Sequence, residues 1–250
     1  MKLKTTAILL CLATCTMAQI PVDESTLMPE TGQSNSTTLD MALGYEHNTI
    51  AGSAFNTSML FNINPATWVT TKAGIHVRTE SRYAATAAAT FKIHTTENRD
   101  SYFGIRNQYL YNIYASGNLH DFVISLAAAY SHPYFDIAIG GYARMFAPIK
   151  KYGASAGIIW EPGIVYDVEA HIFPNEYVWN IGAQITNMRT FEIERLYSPN
   201  FILKGNYRIG GYASDHLNFK AELGFKPAGL FHINATYYSF FINIGITCII

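Results

Sequence analysis

Along most of this chain apolar and polar residues change places at every step, and the polar set carries full charges. From Ala73 to Val77 the residues Ala73, Ile75 and Val77 share one parity, while Lys72, His76, Arg78 and Glu80 share the other. From Tyr83 to Ile93 the residues Tyr83, Ala85, Ala87, Ala89, Phe91 and Ile93 oppose Arg82, Thr86, Thr90, Lys92 and His94. A period of two is the signature of a β-strand with two unlike faces, and it is incompatible with an amphipathic helix of period 3.6. A strand that is greasy on one side and charged on the other must bury one face. A soluble sandwich buries the apolar face, whereas a barrel in lipid turns it outward and encloses the charges.

The same pattern continues to the C-terminus. From Trp68 onward it predicts about twelve strands of roughly nine to twelve residues, the length that crosses a bilayer when tilted. Turns are expected at Ser116-Gly117-Asn118, His132-Pro133, Glu161-Pro162-Gly163 and Lys226-Pro227-Ala228-Gly229, where proline and glycine interrupt the alternation. The segment before Trp68 is less regular. Leu39, Met41, Leu43 and Tyr45 alternate, but His47 to Asn62 lapses into small polar residues. Residues 37–66 therefore read as a plug or lid, with Asn64, Pro65 and Ala66 as its hinge to the wall, because proline donates nothing to a ladder. The longest interruption runs from Asn187 to Asn200, where Phe191, Ile193 and Leu196 could form a further short strand. Fourteen wall strands result if 37–46 and 190–196 both join.

Three features favour a transmembrane antiparallel up-and-down barrel over a soluble sandwich. The strands exceed the five or six residues usual in soluble sheets. The polar parity carries charges of both signs. Aromatics, including Trp68, Tyr83, Tyr130, Trp160 and Trp179, gather near strand ends, where amphipathic rings prefer the water–lipid boundary. Composition agrees, with 14% charged and 14% aromatic residues, a balance suited to aromatic girdles.

The N-terminus has the plan of an export signal. Lys2 and Lys4 precede an apolar run from Thr6 to Ala13, and Thr16-Met17-Ala18 offers a small-residue cleavage site, so residues 1–18 read as a signal peptide and 19–36 as a flexible leader. The apolar run is too short to span a bilayer as a helix. Cys248 is the cysteine expected in the mature chain, so neither a disulfide framework nor a cysteine-based metal site is expected. These readings place the protein in the outer membrane, with lipids as partners. The formal net charge of −1 gives no bulk attraction to nucleic acid.

The candidate functional residues are a charge network in the lumen: Lys72, His76, Arg78, Glu80, Arg82, Lys92, Arg106, Arg144, Asp167, Glu169 and His171. The early strands supply mainly cations and the 161–171 stretch supplies Glu161, Asp167 and Glu169. Pairing across the lumen would therefore hold a narrow barrel together. A residual basic lining would instead favour anionic or amphipathic solutes. Asp167, Glu169 and His171 lie at i, i+2 and i+4 on one face, but no serine nucleophile is evident beside them. No enzyme, cofactor or metal is expected, since no metal-ligand spacing, phosphate loop or nucleic-acid motif is present.

Ala42-Leu43-Gly44, Ala51-Gly52-Ser53-Ala54 and Asn64-Pro65-Ala66 before the first long strand resemble the fatty-acid-transporter-type outer-membrane barrels. That group includes type IX secretion barrels of Bacteroidota, of PorV-like or PorP/SprF-like kind. The resemblance implies a non-enzymatic accessory barrel of an envelope secretion or assembly complex, with other envelope proteins as partners. The alternatives are a channel or transporter for small or hydrophobic solutes and, more remotely, an outer-membrane hydrolase.

Overall fold

The computed structural model describes residues 36–49, 52–79, 82–95, 101–114, 117–150, 157–172, 178–189, 192–193, 198–209, 217–227 and 238–250. Its strands are β1 (Ser36–Asn48), β2 (Gly52–Ala66), β3 (Val69–Arg78), β4 (Arg82–His94), β5 (Ser101–Tyr114), β6 (Gly117–His132), β7 (Phe135–Lys150), β8 (Ile159–His171), β9 (Trp179–Thr186), β10 (Met188–Arg189), β11 (Glu192–Ile193), β12 (Asn200–Arg208), β13 (Leu217–Pro227) and β14 (Tyr238–Ile249). Twelve of them close into one antiparallel barrel, in the order β1-β14-β13-β12-β9-β8-β7-β6-β5-β4-β3-β2, while β10 and β11 form a separate two-stranded sheet. The first and last strands make the closing seam, running from Thr38 opposite Ile249 to Asn48 opposite Ser239. Closure pairs the last strand with the first, as hydrocarbon requires of a spanning sheet.

Alternation explains which side is which. In β4, Tyr83, Phe91 and Ile93 point out, while Thr86, Thr90 and Lys92 are buried inside. In β14, Ile242, Ile244 and Ile246 point out against buried Asn243 and Thr247. Registers join like faces from strand to strand, so one apolar face runs round the outside and one polar face round the inside. The outer belt is aliphatic at mid-height, with Met41, Leu126, Ile139, Ile185, Leu203 and Ile244 exposed. Rings crowd both ends: Trp68, Tyr134 and Trp179 toward the end where the seam strands begin and finish, and Phe55, Tyr83, Trp160 and Tyr238 toward the other. An apolar band of this extent around a closed barrel is a surface for lipid to cover.

Several sequence expectations change here. Residues 37–66 are not a plug, because β1 and β2 pair along their full length as wall strands. The polar run that disguised β2 is its inward face together with outward Thr57, whose hydroxyl is satisfied by the Ala42 carbonyl at 3.1 Å. Asn64, Pro65 and Ala66 are accordingly no hinge; they finish β2, where the pairing with β3 slips between Ile63 and Ala66. Ten barrel strands follow Trp68, and with β1 and β2 they make the twelve. The stretch 190–196 does not widen the wall to fourteen, since its described residues belong to β11.

Glu161-Pro162-Gly163 is not a turn but the interior of β8, paired with β7 from Arg144 opposite Glu161 to Tyr142 opposite Gly163. Proline is tolerated there for a specific reason. β9 pairs with β8 only from Asp167 to His171, so the upper half of β8 faces no wall strand on that side. Tyr166 and Ile164 direct their backbone groups to that side. Pro162 shares their parity, so its missing N–H falls on the same unpaired edge. The expected signal peptide and residues 19–35 of the expected leader lie outside the described residues.

Candidate lumen and its inward hairpin

The inward face is lined mainly by polar side chains, interrupted by apolar patches around Val123 and Val165 and around Leu60 and Leu110, and many of the polar groups engage a neighbour along the wall. Asp40 on β1 accepts hydrogen bonds from Asn62 Nδ2 at 3.1 Å and from Lys220 Nζ at 3.0 Å, and from the Thr247 hydroxyl. One carboxylate thus joins β1, β2, β13 and β14 at the seam. Glu222 on β13 accepts from Asn243 Nδ2 at 3.1 Å.

Among the described ion pairs, the charges expected to pair across the lumen pair sideways. Arg78 meets Glu46 at 3.5 Å, two strands away on β1. Arg144 grips Asp121 on the adjacent β6, its Nε donating to both carboxylate oxygens at 2.9 Å. Asp167 accepts from Gln184 Nε2 at 2.8 Å, and Glu169 accepts from Lys204 Nζ at 2.6 Å. His171 lies 3.0 Å from Asp136 on β7. Strands sit about 4.8 Å apart, so a neighbour once or twice removed is within reach of a long side chain. The opposite wall is not.

The remaining expected residues are placed as follows. Lys72 and His76 project inward from β3, half-buried. Arg106 is 2% exposed and Lys92 lies 5.9 Å from the centroid of the Tyr102 ring, both inside the barrel. Arg82 pairs by backbone with Arg78 and Tyr114, and Glu80 lies outside the described residues. The cations of this set share a sector. Strands β2, β3, β4 and β5 contain no aspartate or glutamate, yet they carry Lys72, His76, Arg78, Arg82, Lys92, His94 and Arg106. The acids of the wall strands sit on β1, β6, β7, β8 and β13.

An inward element lies within the interruption from Asn187 to Asn200. At Thr186 the chain leaves the wall. The Thr186 hydroxyl donates to the Met188 carbonyl and accepts from the Met188 N–H, each at 3.2 Å, turning the chain inward. Asn187 covers the place that β9 vacates: its carboxamide accepts from the Tyr166 N–H at 3.0 Å and donates to the Ile164 carbonyl at 2.8 Å. Met188 is fully buried in one cluster with Val123, Tyr142 and Val165. Arg189 turns the other way, 3.7 Å from Glu222, with its guanidinium 4.1 Å from the centroid of the Phe241 ring. Arg189, Glu222, Lys204, Lys220, Asp40, Glu46, Asp121 and Asp136 were missed as site residues. Inward parity was the available signal for all but Arg189.

In the cluster of Asp136, Glu169 and His171, the Ser131 hydroxyl donates to Asp136 at 2.6 Å rather than to the imidazole. The three could ligate an ion, their ligand atoms lying within 4.8 Å of one another, but Glu169 is already held by Lys204.

A closed twelve-stranded antiparallel barrel with an apolar belt and a polar, charged interior defines the class: a transmembrane β-barrel of the outer-membrane kind. No family model matches the sequence, and a comparison with curated proteins returns no match. Solved structures share the fold. An outer membrane channel from Pseudomonas putida F1 superimposes with a TM-score of 0.54 at 10% identity, covering 92% of this chain and 99% of that one. The KdgM porin in complex with disordered oligogalacturonate gives 0.51 at 10% identity, over 84% and 98%. The NanC porin gives 0.50 at 11% identity, over 84% and 98%. At these identities the likeness is one of fold. The resemblance to type IX secretion barrels gains nothing from these comparisons, and its Asn64-Pro65-Ala66 element is the end of a wall strand.

Proposed function

We propose that this chain is an outer-membrane channel for small polar solutes, with a preference for anions, and that it acts without catalysis. The observation that carries this reading is the acid-free arc of β2 to β5 within a closed barrel. An arc of fixed cations in a low-dielectric tube lowers the cost of an anion's passage and raises that of a cation. The porin-type fold and its apolar belt support the location, and the export signal expected at the N-terminus is consistent with it. Purified protein in planar bilayers should give discrete conductance steps, and in a potassium chloride gradient the reversal potential should carry the sign of chloride selectivity. A barrel that inserts but passes no current removes the reading.

A second reading, an accessory barrel in an envelope secretion or assembly complex, draws on the tightness of the lining. Gln108, Asn112 and Asp121 are each 1% exposed. Purification from native membranes at endogenous expression should then return stoichiometric envelope partners. Recovery of the barrel alone sets that reading aside.

A further inference from the structure

A hydrogen-bonding side chain on the lipid face of a barrel is costly unless it finds a partner. Thr57 and Thr71 find one within their own sheet, donating to the Ala42 carbonyl at 3.1 Å and to the Ile63 carbonyl at 3.2 Å. Farther along the outer face of β5 and β6, Tyr109 and His120 share a hydrogen bond of 2.7 Å, and Asn118 donates to the Tyr111 hydroxyl at 2.8 Å. Asn107 is different. It stands at the middle of β5, on the outward parity of Ile105 and Tyr109, between Ala89 of β4 and Ile124 of β6. Its half-buried carboxamide makes no hydrogen bond to any described residue. Two donor hydrogens and an acceptor oxygen therefore face the hydrocarbon layer at a depth that water does not reach. The wall beside them is low. Ala85, Ala87 and Ala89 follow one another on the outward parity of β4, between the larger Tyr83 and Phe91, and Ala73 of β3 lies opposite Ala87.

We infer that the outer face of β3 to β5 is an interface with a second copy of this chain, the two barrels related by a two-fold axis along the membrane normal and their Asn107 carboxamides paired with each other. Membrane insertion gives both copies the same direction, so at such an axis each residue meets its own counterpart at its own depth. Only a group that complements itself is satisfied there. A carboxamide is such a group, since its N–H donates to the counterpart's oxygen while its own oxygen accepts in return. A different protein would have to carry an outward polar group of its own at the same depth. The alanines beside Asn107 let the two walls approach closely, as small residues do where membrane segments pack. The inference is independent of what the lumen passes and rests on the barrel's place in the membrane.

Cysteine cross-linking of the full chain in native membranes tests the contact. In a Cys248→Ser background, Asn107→Cys and Ala87→Cys should each give an oxidised product of twice the chain's mass. Leu223→Cys, exposed on the outer face of β13 six strands away round the barrel, should give none. Adding Asn107→Leu to the Ala87→Cys variant should cut its product about threefold or more, the effect of losing one side-chain hydrogen bond within a membrane. If that double variant does not fold, the single-cysteine variants decide. Equal product at Leu223→Cys marks random collision and overturns the interface. Absence of product at Asn107→Cys or at Ala87→Cys, or a product of another mass, overturns the second copy as occupant. Product at Ala87→Cys that Asn107→Leu leaves unchanged overturns the carboxamide pair.

Discussion

Lys220 on β13 reaches past β14 to Asp40 on β1, their charged atoms 3.0 Å apart and both side chains almost wholly buried. This ion pair locks the seam, the one place where a twelve-stranded sheet becomes a barrel. Breaking a buried pair from one side leaves a charge without its counterpart and costs about 3–5 kcal/mol, whereas a neutral isostere preserves most of the hydrogen bonding. Asp40→Ala should therefore sharply lower the temperature at which the folded band converts to the unfolded one in detergent electrophoresis, and Asp40→Asn should lower it less. A loss in Asp40→Asn as large as in Asp40→Ala would mean that the charge alone holds the seam, and no loss in either variant would mean that the pair does not hold it.

Asn187 stands in for a missing strand. Its carboxamide presents an acceptor to the Tyr166 N–H and a donor to the Ile164 carbonyl, the pair of groups a backbone peptide of β9 would have presented. Asn187→Ala withdraws both bonds from a buried edge, at about 1–3 kcal/mol. Asn187→Asp keeps the acceptor and loses the donor, so it should fall between wild type and alanine. Denaturant unfolding followed by tryptophan fluorescence checks the ranking, and an alanine variant as stable as wild type would refute it.

The barrel was legible in the sequence because lipid outside and water inside write opposite demands on alternate residues, as in β4 and β5. It was illegible where one residue broke the alphabet for a local reason. Thr57 sits on the outer face of β2 and Leu60 on the inner, so the strand resembled a loop, although Thr57 hides its hydroxyl on a backbone carbonyl and Leu60 is buried beside Ala84 and Leu110. Pro162 signalled a turn because proline breaks ladders, and nothing local reveals that β9 stops short and leaves that edge open. Ion-pair partners were unreadable for a different reason. Parity says that Arg78 and Glu169 face inward, but the register and tilt of strands far apart in sequence decide that Arg78 meets Glu46 and Glu169 meets Lys204.

Gly140, at the middle of β7, has the backbone of β6 where a side chain would begin: a Cβ there would stand 2.6 Å from the Ala127 Cα. That atom and the nearby Leu126 carbonyl are backbone, so the strands themselves would have to separate. Gly140→Ala should destabilise the barrel by about 1–3 kcal/mol, the usual cost of overpacking, even though alanine suits a strand better than glycine elsewhere. Gly205, whose Cβ would meet nothing within 4 Å, serves as the control, and Gly205→Ala should be neutral or mildly stabilising in the same unfolding experiment. Matching losses at both positions would show that strand propensity, not close approach, governs the effect.

The sideways pairing of the lumen charges makes a prediction that separates it from pairing across the bore. Arg78 and Glu46 are 3.5 Å apart with side chains 13% and 19% exposed, so their coupling should be real but moderated by nearby water, about 0.5–1 kcal/mol in a double-mutant cycle. Arg78 with Asp167 should show none, because β8 stands five strands from β3 round the barrel. Alanine variants of Arg78, Glu46 and Asp167, singly and in the two pairs, supply both cycles from one set of unfolding curves. If Arg78 couples to Asp167 and not to Glu46, the basic arc is held by the far wall, and opening the lumen would then release it.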